Sequence, residues 1–428
     1  MSFPRYPSYK DSGVEWLGEV PEHWELKRLK RNLRLLTEKT DRRGSPVALE
    51  NIESWSGRFI QTETTFEGEG IAFERRDILF GKLRPYLAKA YLAESAGEAI
   101  GDFHVMRPTK GTDSRFSQYQ MLNREFIAIV DSSTFGAKMP RVSWDFLSNI
   151  VLTTPPISEQ QTIAAFLDRE TAKIDALIAE QQRLIELLKE KRQAVISHAV
   201  TKGLNPNAPM KDSGIEWLGE VPEHWGYGAL SYLSKIDTGS TPDRGKPEYW
   251  NGDIPWLKTG EVNYGLITSA EEYITETGLN NSSARLANEG TLLMAMYGQG
   301  VTRGRVAILG IKAAYNQACA AIFLNERLNN EYTQYFFIMA YDFIRDTGNE
   351  TSQMNLSSGI ISKIKVLLPP IREQLEIVGY LKKQTTNLDF LQTEAKTAIT
   401  LLQERRTALI SAAVTGKIDV RSLVADKT

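Results

Sequence analysis

The chain contains one segment twice, and this internal repeat limits the folds open to it more than any other feature. Residues 10–24 read KDSGVEWLGEVPEHW and residues 211–225 read KDSGIEWLGEVPEHW, so that fourteen of fifteen positions are identical. A match of this length does not arise by chance. We call these segments the heads, and they indicate that the chain is built as two copies of one module.

A second pair of similar segments, which we call the tails, follows at a constant spacing of 214 residues. The first tail covers residues 155–201 and begins PPISEQ, and the second covers residues 369–415 and begins PPIREQ. The stretches between head and tail, roughly 26–150 and 227–364, differ strongly from each other. Each module therefore has a constant head, a variable body and a constant tail.

Both tails carry the pattern of a long helix. Ser158 with Gln161 fits a capping box after the prolines, and Gly203 and Gly416 are placed to end the helices. The apolar residues recur in steps of three and four, which is the period of a coiled-coil seam. The two predicted seams are Ile163, Leu167, Ile174, Leu177, Leu184, Leu188 and Val195, and Ile377, Leu381, Leu388, Leu391, Ala395, Ala398, Leu402 and Leu409.

At about 45 residues and 1.5 Å per residue, each helix would be roughly 65 Å long. If the helices pair antiparallel, Glu170 falls near Arg405 and Lys191 falls near Gln384, and such polar seam residues can fix the register. The alternative is that each helix packs only on its own body, but an ordinary domain rarely contains helices of twelve turns. We therefore predict an α+β fold, in which two mixed α/β bodies are joined by two long helices with a pseudo-two-fold internal repeat.

Composition excludes several classes of protein. With one cysteine, Cys319, and four scattered histidines, we expect neither a disulfide framework nor a structural zinc site. No apolar run reaches 18 residues and the start, MSFPRYPSYK, lacks the apolar stretch of a signal peptide, so we expect a cytoplasmic protein. The net charge of −2 counts against a uniformly basic nucleic-acid-binding protein but allows local basic patches.

Two similar modules held by a stiff rod would present two similar surfaces at a fixed distance. Duplex DNA repeats every ~34 Å, so this arrangement suits two half-sites with a set spacing, and unlike bodies would read unlike half-sites. A scaffold that pairs two protein ligands remains open on the repeat pattern alone.

The order of these segments resembles the specificity subunit of type I restriction-modification systems. The resemblance rests on the heads, the PPISEQ and PPIREQ openings, FGKLRPYLAKAYL at 80–92, GSTPDRGKPEYWNGDIPWLKTGEV at 239–262 and YNQACAAIFL at 315–324, and it covers essentially the whole chain. It implies target-recognition domains at 1–154 and 204–368, each reading half of an interrupted DNA site. It also implies that two conserved helices, at 155–203 and 369–428, form an antiparallel coiled-coil spacer, the latter range including a short end segment.

The resemblance further implies the partners of the chain. These are two modification subunits, which bind S-adenosylmethionine and methylate adenine, and restriction subunits, which use ATP. On this interpretation S-adenosylmethionine, ATP and Mg are bound by the partner subunits, and the present chain binds no cofactor.

Four basic residues of the first body are candidates for DNA contacts: Lys82 and Arg84 in FGKLRPYL, and Lys138 and Arg141 in a Gly/Pro loop before the tail. Arginine is the commonest reader of guanine edges, and lysine commonly neutralises phosphate. The alternatives are a strand-end turn with solvated charges for the first pair and an ordinary loop for the second.

The second body offers polar side chains on Gly-rich loops, where hydroxyl, amide and basic groups suit phosphates or base edges. The candidates are Ser240, Thr241, Arg244 and Lys246 in GSTPDRGKP, Gln299, Arg303 and Arg305 in YGQGVTRGRVAIL, and Asn316 with Gln317. The last two could pair with adenine or form a buried polar network at a strand end. Trp250 and Trp256 are interpreted as core residues rather than as base-stacking ones.

The alternative function is an enzyme that modifies or cuts DNA itself. The two Pro-Pro pairs read TPPI and LPPI and lack the polar and aromatic neighbours of an adenine methyltransferase motif. Pro242–Asp243 is not followed within thirty residues by the Asp/Glu-x-Lys of a nuclease. GSTPDRGKP is one residue too long for a P-loop, with Pro247 in the place of the Mg-binding Ser/Thr. We therefore predict no catalytic site and no metal site.

Overall fold

The computed structural model describes residues 3–40, 45–63, 69–136, 138–298, 301–346 and 355–423. The chain divides into two compact units, one formed by residues 1–182 with 396–428 and the other by residues 183–395. Each unit contains one head and one body, and both tails continue from one unit into the other.

The first unit holds short strands, short helices and two four-stranded sheets, with the orders β5-β7-β10-β6 and β4-β11-β8-β9. Its strands are β1 (Tyr9–Asp11), β2 (Glu19–Pro21), β3 (Glu25–Arg28), β4 (Leu33–Leu36), β5 (Lys39–Thr40), β6 (Pro46–Val47), β7 (Gly70–Phe73), β8 (Ile78–Gly81), β9 (Ala90–Leu92), β10 (Gly97–Ile100), β11 (Phe103–Pro108) and β12 (Val151–Thr154). Its short helices are α1 (Leu29–Asn32), α2 (Ser114–Met121), α3 (Arg124–Ser132) and α4 (Trp144–Asn149), with 3-10 turns at Leu49–Asn51, Pro85–Leu87 and Arg421–Leu423.

The tails form the two long helices, α5 (Ile157–Lys202) and, at the end of the chain, α11 (Ile371–Val414). The second unit holds a five-stranded sheet, β16-β24-β21-β22-β18, and a four-stranded sheet, β19-β17-β23-β20. Its strands are β13 (Met210–Asp212), β14 (Glu220–Pro222), β15 (Gly226–Ala229), β16 (Ser234–Thr238), β17 (Trp250–Leu257), β18 (Leu266–Ile267), β19 (Glu272–Ile274), β20 (Leu286–Ala287), β21 (Leu292–Ala295), β22 (Val306–Leu309), β23 (Ala313–Tyr315), β24 (Cys319–Leu324) and β25 (Lys365–Leu368). Its short helices are α6 (Leu230–Leu233), α7 (Glu276–Asn280), α8 (Asn330–Met339), α9 (Tyr341–Asp346) and α10 (Ser358–Lys363), with 3-10 turns at Pro247–Tyr249 and Thr259–Glu261.

The sheets that contain β11 and β24 have equivalent strand orders, although the sequences of the two bodies differ. In the first, β11 lies between β4 and β8, and β9 follows at the edge of β8; in the second, β24 lies between β16 and β21, and β22 follows at β21. Each head forms an antiparallel hairpin, β1 with β2 and β13 with β14. The duplication that is obvious in the heads and tails therefore extends to one sheet of each body.

Each head is fixed to the start of a long helix by the same side chains. Trp24 Nε1 donates a hydrogen bond to Glu159 Oε1 at 3.1 Å, and His23 Nε2 lies 2.9 Å from Glu159 Oε2. In the second module Trp225 and His224 contact Glu373 at the same two distances. The His-Trp pair that ends each head and the glutamate that opens each tail thus form one repeated contact.

The glutamine that follows this glutamate fixes the body. Gln160 Nε2 donates to Pro155 O and Gly111 O, and its Oε1 accepts from Asp113 N. Gln374 makes the corresponding bonds to Pro369 O, Arg327 O and Asn329 N. Both glutamines are buried, and each satisfies one main-chain group just before its own long helix and two just before a short helix of the body, α2 or α8.

The long helices pair antiparallel, and the predicted fold class is confirmed. In the first unit Arg406 Nε lies 3.0 Å from Asp175 Oδ1, and in the second unit Arg192 pairs with Asp389. Along α5, Asp175 comes before Arg192. Along α11, their partners come in the reverse order, since Arg406 follows Asp389, as antiparallel helices require.

The predicted seam is wrong in the middle of both helices. Leu177, Leu184 and Leu391 are exposed, whereas Ile185 is buried and Ile178 is half-buried. Leucine and isoleucine lie next to each other along this stretch, so the hydrophobic pattern alone does not fix which of the two registers faces the partner helix.

The register difference also changes the polar pairs. The predicted neighbours Glu170 and Arg405 form no ion pair with each other. Glu170 instead binds Arg169 and Lys173 on its own helix. The cross-helix pairs are instead Asp175 with Arg406 and Arg192 with Asp389.

Cys319 is fully buried in β24, and burial raises the pKa of its thiol to about 12. Because the thiolate is the reactive form, we expect the native chain to resist iodoacetamide at pH 8 and the urea-unfolded chain to react fully. Mass spectrometry of samples quenched over time would measure both rates. Rapid labelling of the native chain would contradict the burial of this strand.

Candidate nucleic-acid interface

In the first body the structure brings Lys82 and Arg141 together around a carboxylate that sequence analysis missed. Arg141 donates to Asp102 through Nε at 3.2 Å and through Nη2 at 2.9 Å, and Lys82 Nζ lies 4.0 Å from Asp102 Oδ1. The hydrogen bonds to Asp102 raise the pKa of Arg141 above its ordinary value. Asp102 thus holds two cations in place without neutralising both.

The other two candidates of the first body extend this surface. Arg84 N donates to Pro140 O at 2.8 Å, which joins the loop that carries Arg84 to the loop that carries Lys138. The Arg84 and Lys138 side chains are exposed and form no ion pair with any residue that the structure describes. All four predicted residues therefore lie on one surface, which we call the basic surface, with Phe135 and Tyr86 also exposed there.

In the second body four candidates lie where two loops touch. Ser240 N donates to Tyr315 O at 3.0 Å, and Thr241 Oγ1 donates to Gln317 Oε1 at 2.5 Å. Asn316 Oδ1 accepts from Ala318 N, so this amide supports its own turn. We call this group, with Arg244, the polar surface.

Arg244 lies against two tryptophans. Its guanidinium carbon is 3.9 Å from the centre of the Trp250 ring and 5.0 Å from the centre of the Trp256 ring, and Nη1 binds Glu272 at 2.5 Å. Hydrogen bonds from Arg244 and Lys258 lower the pKa of Glu272. Trp256 is buried, as predicted for a core residue, while its neighbour Trp250 is only half-buried and orients the arginine. Lys246 is exposed and bonds to the Tyr249 hydroxyl, which raises its pKa.

The remaining candidates are not part of the polar surface or are not described. Arg303 is buried and donates to Arg345 O at 2.6 Å. Arg305 donates to Asn263 Oδ1 at 2.9 Å and lies over the Tyr264 ring. Both arginine side chains therefore stabilise the second body through contacts with other residues of the fold. Gln299 lies outside the described residues.

The two surfaces lie at the same end of the equivalent sheets. In the first body Lys82 N donates to Asp102 O, and Val142 N donates to Lys82 O. In the second body Met296 N donates to Ala318 O, and Leu356 N donates to Met296 O. The position of Lys82 thus corresponds to Met296. One scaffold therefore presents different chemistry in each body.

Sequence analysis missed Asp102 and the role of Trp250 for a definite reason. Asp102 follows Gly101 at the start of β11, where a single aspartate is an ordinary turn residue. Only its distance to Arg141, which is 39 positions away, gives it a role. The role of Trp250 could have been predicted from Arg244, six residues before it, since arginine often stacks on aromatic rings.

Gly239 permits the close approach of the two loops in the polar surface. A Cβ at this position would lie 1.9 Å from Tyr315 O and 2.5 Å from Asn316 O, and both are main-chain atoms. We expect Gly239→Ala to separate the loops and to lower the free energy of unfolding by about 1–3 kcal/mol. Thermal unfolding would show this, with Gly260→Ala as control because nothing lies within 4 Å of its added Cβ. Equal melting of the two variants would contradict the close approach.

The chain thus combines two bodies with one equivalent sheet each, unlike polar surfaces at equivalent positions of those sheets, and a pair of long helices. A family model described as "Type I restriction modification DNA specificity domain" matches residues 86–187 and 222–401. The MjaVIII specificity subunit of Methanocaldococcus jannaschii is 23% identical over 94% of this chain and 95% of its own length. The EcoKI specificity subunit of Escherichia coli K12 is 24% identical over 73% and 68%.

Among solved structures, a chain from a study of complex assembly and conformational transition of the type I R-M system superposes with a TM-score of 0.74. It is 16% identical, and the match covers 92% of this chain and 98% of that chain. The present chain belongs to the type I restriction-modification DNA specificity family. It is a specificity subunit, the non-catalytic DNA-recognition component, as the family resemblance implied. Within the described ranges, none of its helices combines the length and apolar character needed to cross a bilayer.

Proposed function

We propose that the chain reads an interrupted DNA site, with the domain at 1–154 contacting one half and the domain at 204–368 contacting the other. The paired helices would set the spacing between the halves. The observation that carries this proposal is that the same sheet end bears a basic surface in one body and a polar surface in the other. Unlike surfaces on one scaffold are what two different half-sites require.

The exposed candidates divide by chemistry. On the basic surface, the side chains of Arg84 and Lys138 are exposed and form no ion pair with the described residues, so they suit phosphates or guanine edges. On the polar surface, Thr241 and Gln317 offer hydroxyl and amide groups, and Arg244 offers a planar guanidinium that is already oriented. Arg303 and Arg305 would support these loops from within the fold.

The repeated segments support two equivalent docking positions for modification subunits. Several head residues are identical in both modules and exposed in both, so core packing does not explain their identity. These pairs are Lys10 with Lys211, Glu15 with Glu216 and Glu22 with Glu223. In the complete assembly, which would act in the cytoplasm, modification subunits would bind S-adenosylmethionine, and restriction subunits would use ATP and Mg.

The test is to co-express the chain with its modification subunit and to map the methylated adenines across a genome of known sequence. We expect one bipartite motif, two short defined halves separated by a fixed number of undefined bases. A single uninterrupted motif would contradict the division between the bodies. A gel shift with the purified complex separates the remaining alternative, since a protein scaffold would show no sequence-selective binding at any salt concentration.

A further inference from the structure

The cross-helix ion pair is repeated in both units, but only one copy is covered. Asp175 and Arg406 have side-chain exposures of 17% and 12%, whereas their counterparts Asp389 and Arg192 have exposures of 57% and 39%. The residues of the pair are the same in both units, so the difference arises from what packs on them.

A loop of the first body, residues 53–58, covers the first pair. Arg406 Nη1 donates to Trp55 O at 2.9 Å, and Arg58 Nη1 lies 3.9 Å from Asp175 Oδ2. The loop is closed by a hydrogen bond from Glu53 N to Arg58 O at 2.9 Å. A main-chain carbonyl therefore meets the arginine of the ion pair, and a guanidinium approaches its aspartate.

The corresponding loop of the second body is shorter and leaves its ion pair open. Tyr264 corresponds to Trp55, because each follows a 3-10 turn and each has positive φ, 60° and 64°. Asn263 accepts from Arg305 rather than from the helices. A cleft of about 530 Å³ remains, lined by Arg192, Asp389, Lys189, Asp342, Tyr264 and Tyr341 among others, all within the second unit.

We propose that this cleft is a docking site for a loop of a partner protein, one that offers a main-chain carbonyl to Arg192 and a cationic side chain to Asp389. The chain itself supplies the template, since Trp55 and Arg58 make these two contacts at the equivalent pair. An aromatic residue beside the cation would pack on Tyr264 and Tyr341. This inference goes beyond DNA reading and does not depend on it.

Charge and geometry argue against other occupants. Two carboxylates, Asp342 and Asp389, face the cleft beside two cations, Lys189 and Arg192, so a phosphate gains no net attraction. A second copy of this chain cannot easily supply its own 53–58 loop, because Arg406 and the Glu53–Arg58 hydrogen bond hold that loop in place.

The test uses a cyclic peptide with the sequence Glu-Ser-Trp-Ser-Gly-Arg of residues 53–58, closed through two glycines and labelled with fluorescein. Ring closure reproduces the Glu53–Arg58 contact and reduces the entropy lost on binding. We expect saturable binding to the purified full-length chain by fluorescence anisotropy. Asp389→Ala should weaken it about fivefold, the size of one partly exposed ion pair. The matched control is Glu376→Ala, which removes a carboxylate of similar exposure from the same helix.

A change in the peptide provides a second measurement that does not alter the protein. Replacing its arginine, which corresponds to Arg58, by alanine should weaken binding to the wild-type chain about as much as Asp389→Ala does. No binding at millimolar peptide, or equal affinity for the Asp389→Ala and Glu376→Ala chains, would overturn the proposal. Displacement of the peptide by duplex DNA would assign the cleft to nucleic acid instead. Because the readout is peptide binding, a failed methylation map would leave this result intact.

Discussion

Replacing Glu159 with alanine is expected to lower the free energy of unfolding of the first unit by about 3 kcal/mol, because it leaves two buried donors without an acceptor. Glu159 accepts from Trp24 Nε1 at 3.1 Å and from the Tyr6 hydroxyl at 2.5 Å, and both aromatic residues are buried. Hydrogen exchange of the main-chain amides of residues 19–24 would measure the loss locally, since the two units need not unfold together.

Two further variants separate the hydrogen bonds from the charge. Glu159→Gln keeps an acceptor oxygen, so we expect it to restore most of the protection. Glu373→Ala removes the equivalent group in the second unit, where Trp225 Nε1 is the one buried donor to it among the residues that the structure describes and the carboxylate is partly exposed. Its effect should be smaller. Equal protection in Glu159→Ala and wild type would show that the contact does not fix the head.

The second large effect concerns DNA. We expect Arg84→Ala to weaken recognition of one half-site and Arg244→Ala to weaken recognition of the other, each by about 10- to 100-fold if the arginine reads a base edge bidentately. The two side chains lie in different units, so their effects should add. Fluorescence anisotropy with the complex and duplexes altered in one half-site at a time would measure both.

The salt dependence of the same binding identifies the kind of contact. A base contact should relax specificity at its own positions, whereas a phosphate contact should weaken all sequences alike and reduce the salt slope by about one. Arg372→Ala is a suitable control, because this exposed arginine pairs with Glu376 on α11 and belongs to neither surface. If Arg84→Ala and Arg244→Ala impaired the same half-site, the assignment of one half to each body would be wrong.

The architecture was predictable because it depends on repeats and periodic patterns that are visible in a single sequence. Identical heads, a constant spacing and a sustained heptad period require only counting, and they predicted the two modules and the two long helices. The antiparallel direction of these helices was implied by the family resemblance. The seam register was less accessible, because Leu177 and Ile178 are both apolar and only the packed structure shows which is buried. A coiled-coil period therefore indicates that a helix pairs with another one, but it does not show which side chains face the partner helix.

The candidate surfaces were predictable only as sets of residue types. Loops rich in glycine and basic residues indicated where to look, and the structure brings Lys82, Arg84, Lys138 and Arg141 onto one surface. The sequence could not show that Asp102 organises two of them or that Arg303 is buried, since both facts depend on contacts between distant segments. Whether each exposed residue contacts DNA remains a prediction.

The glutamate and glutamine that open each tail have an evolutionary consequence. Together they hold a head and a body through bonds to aromatic rings and to main-chain groups, and both modules use the same arrangement. Main-chain partners do not depend on the identity of the residues that carry them. A gene segment encoding a different body could therefore replace the existing one by recombination within the repeated flanks. The resulting protein would keep the contacts between head, tail and body while it gained a different recognition surface.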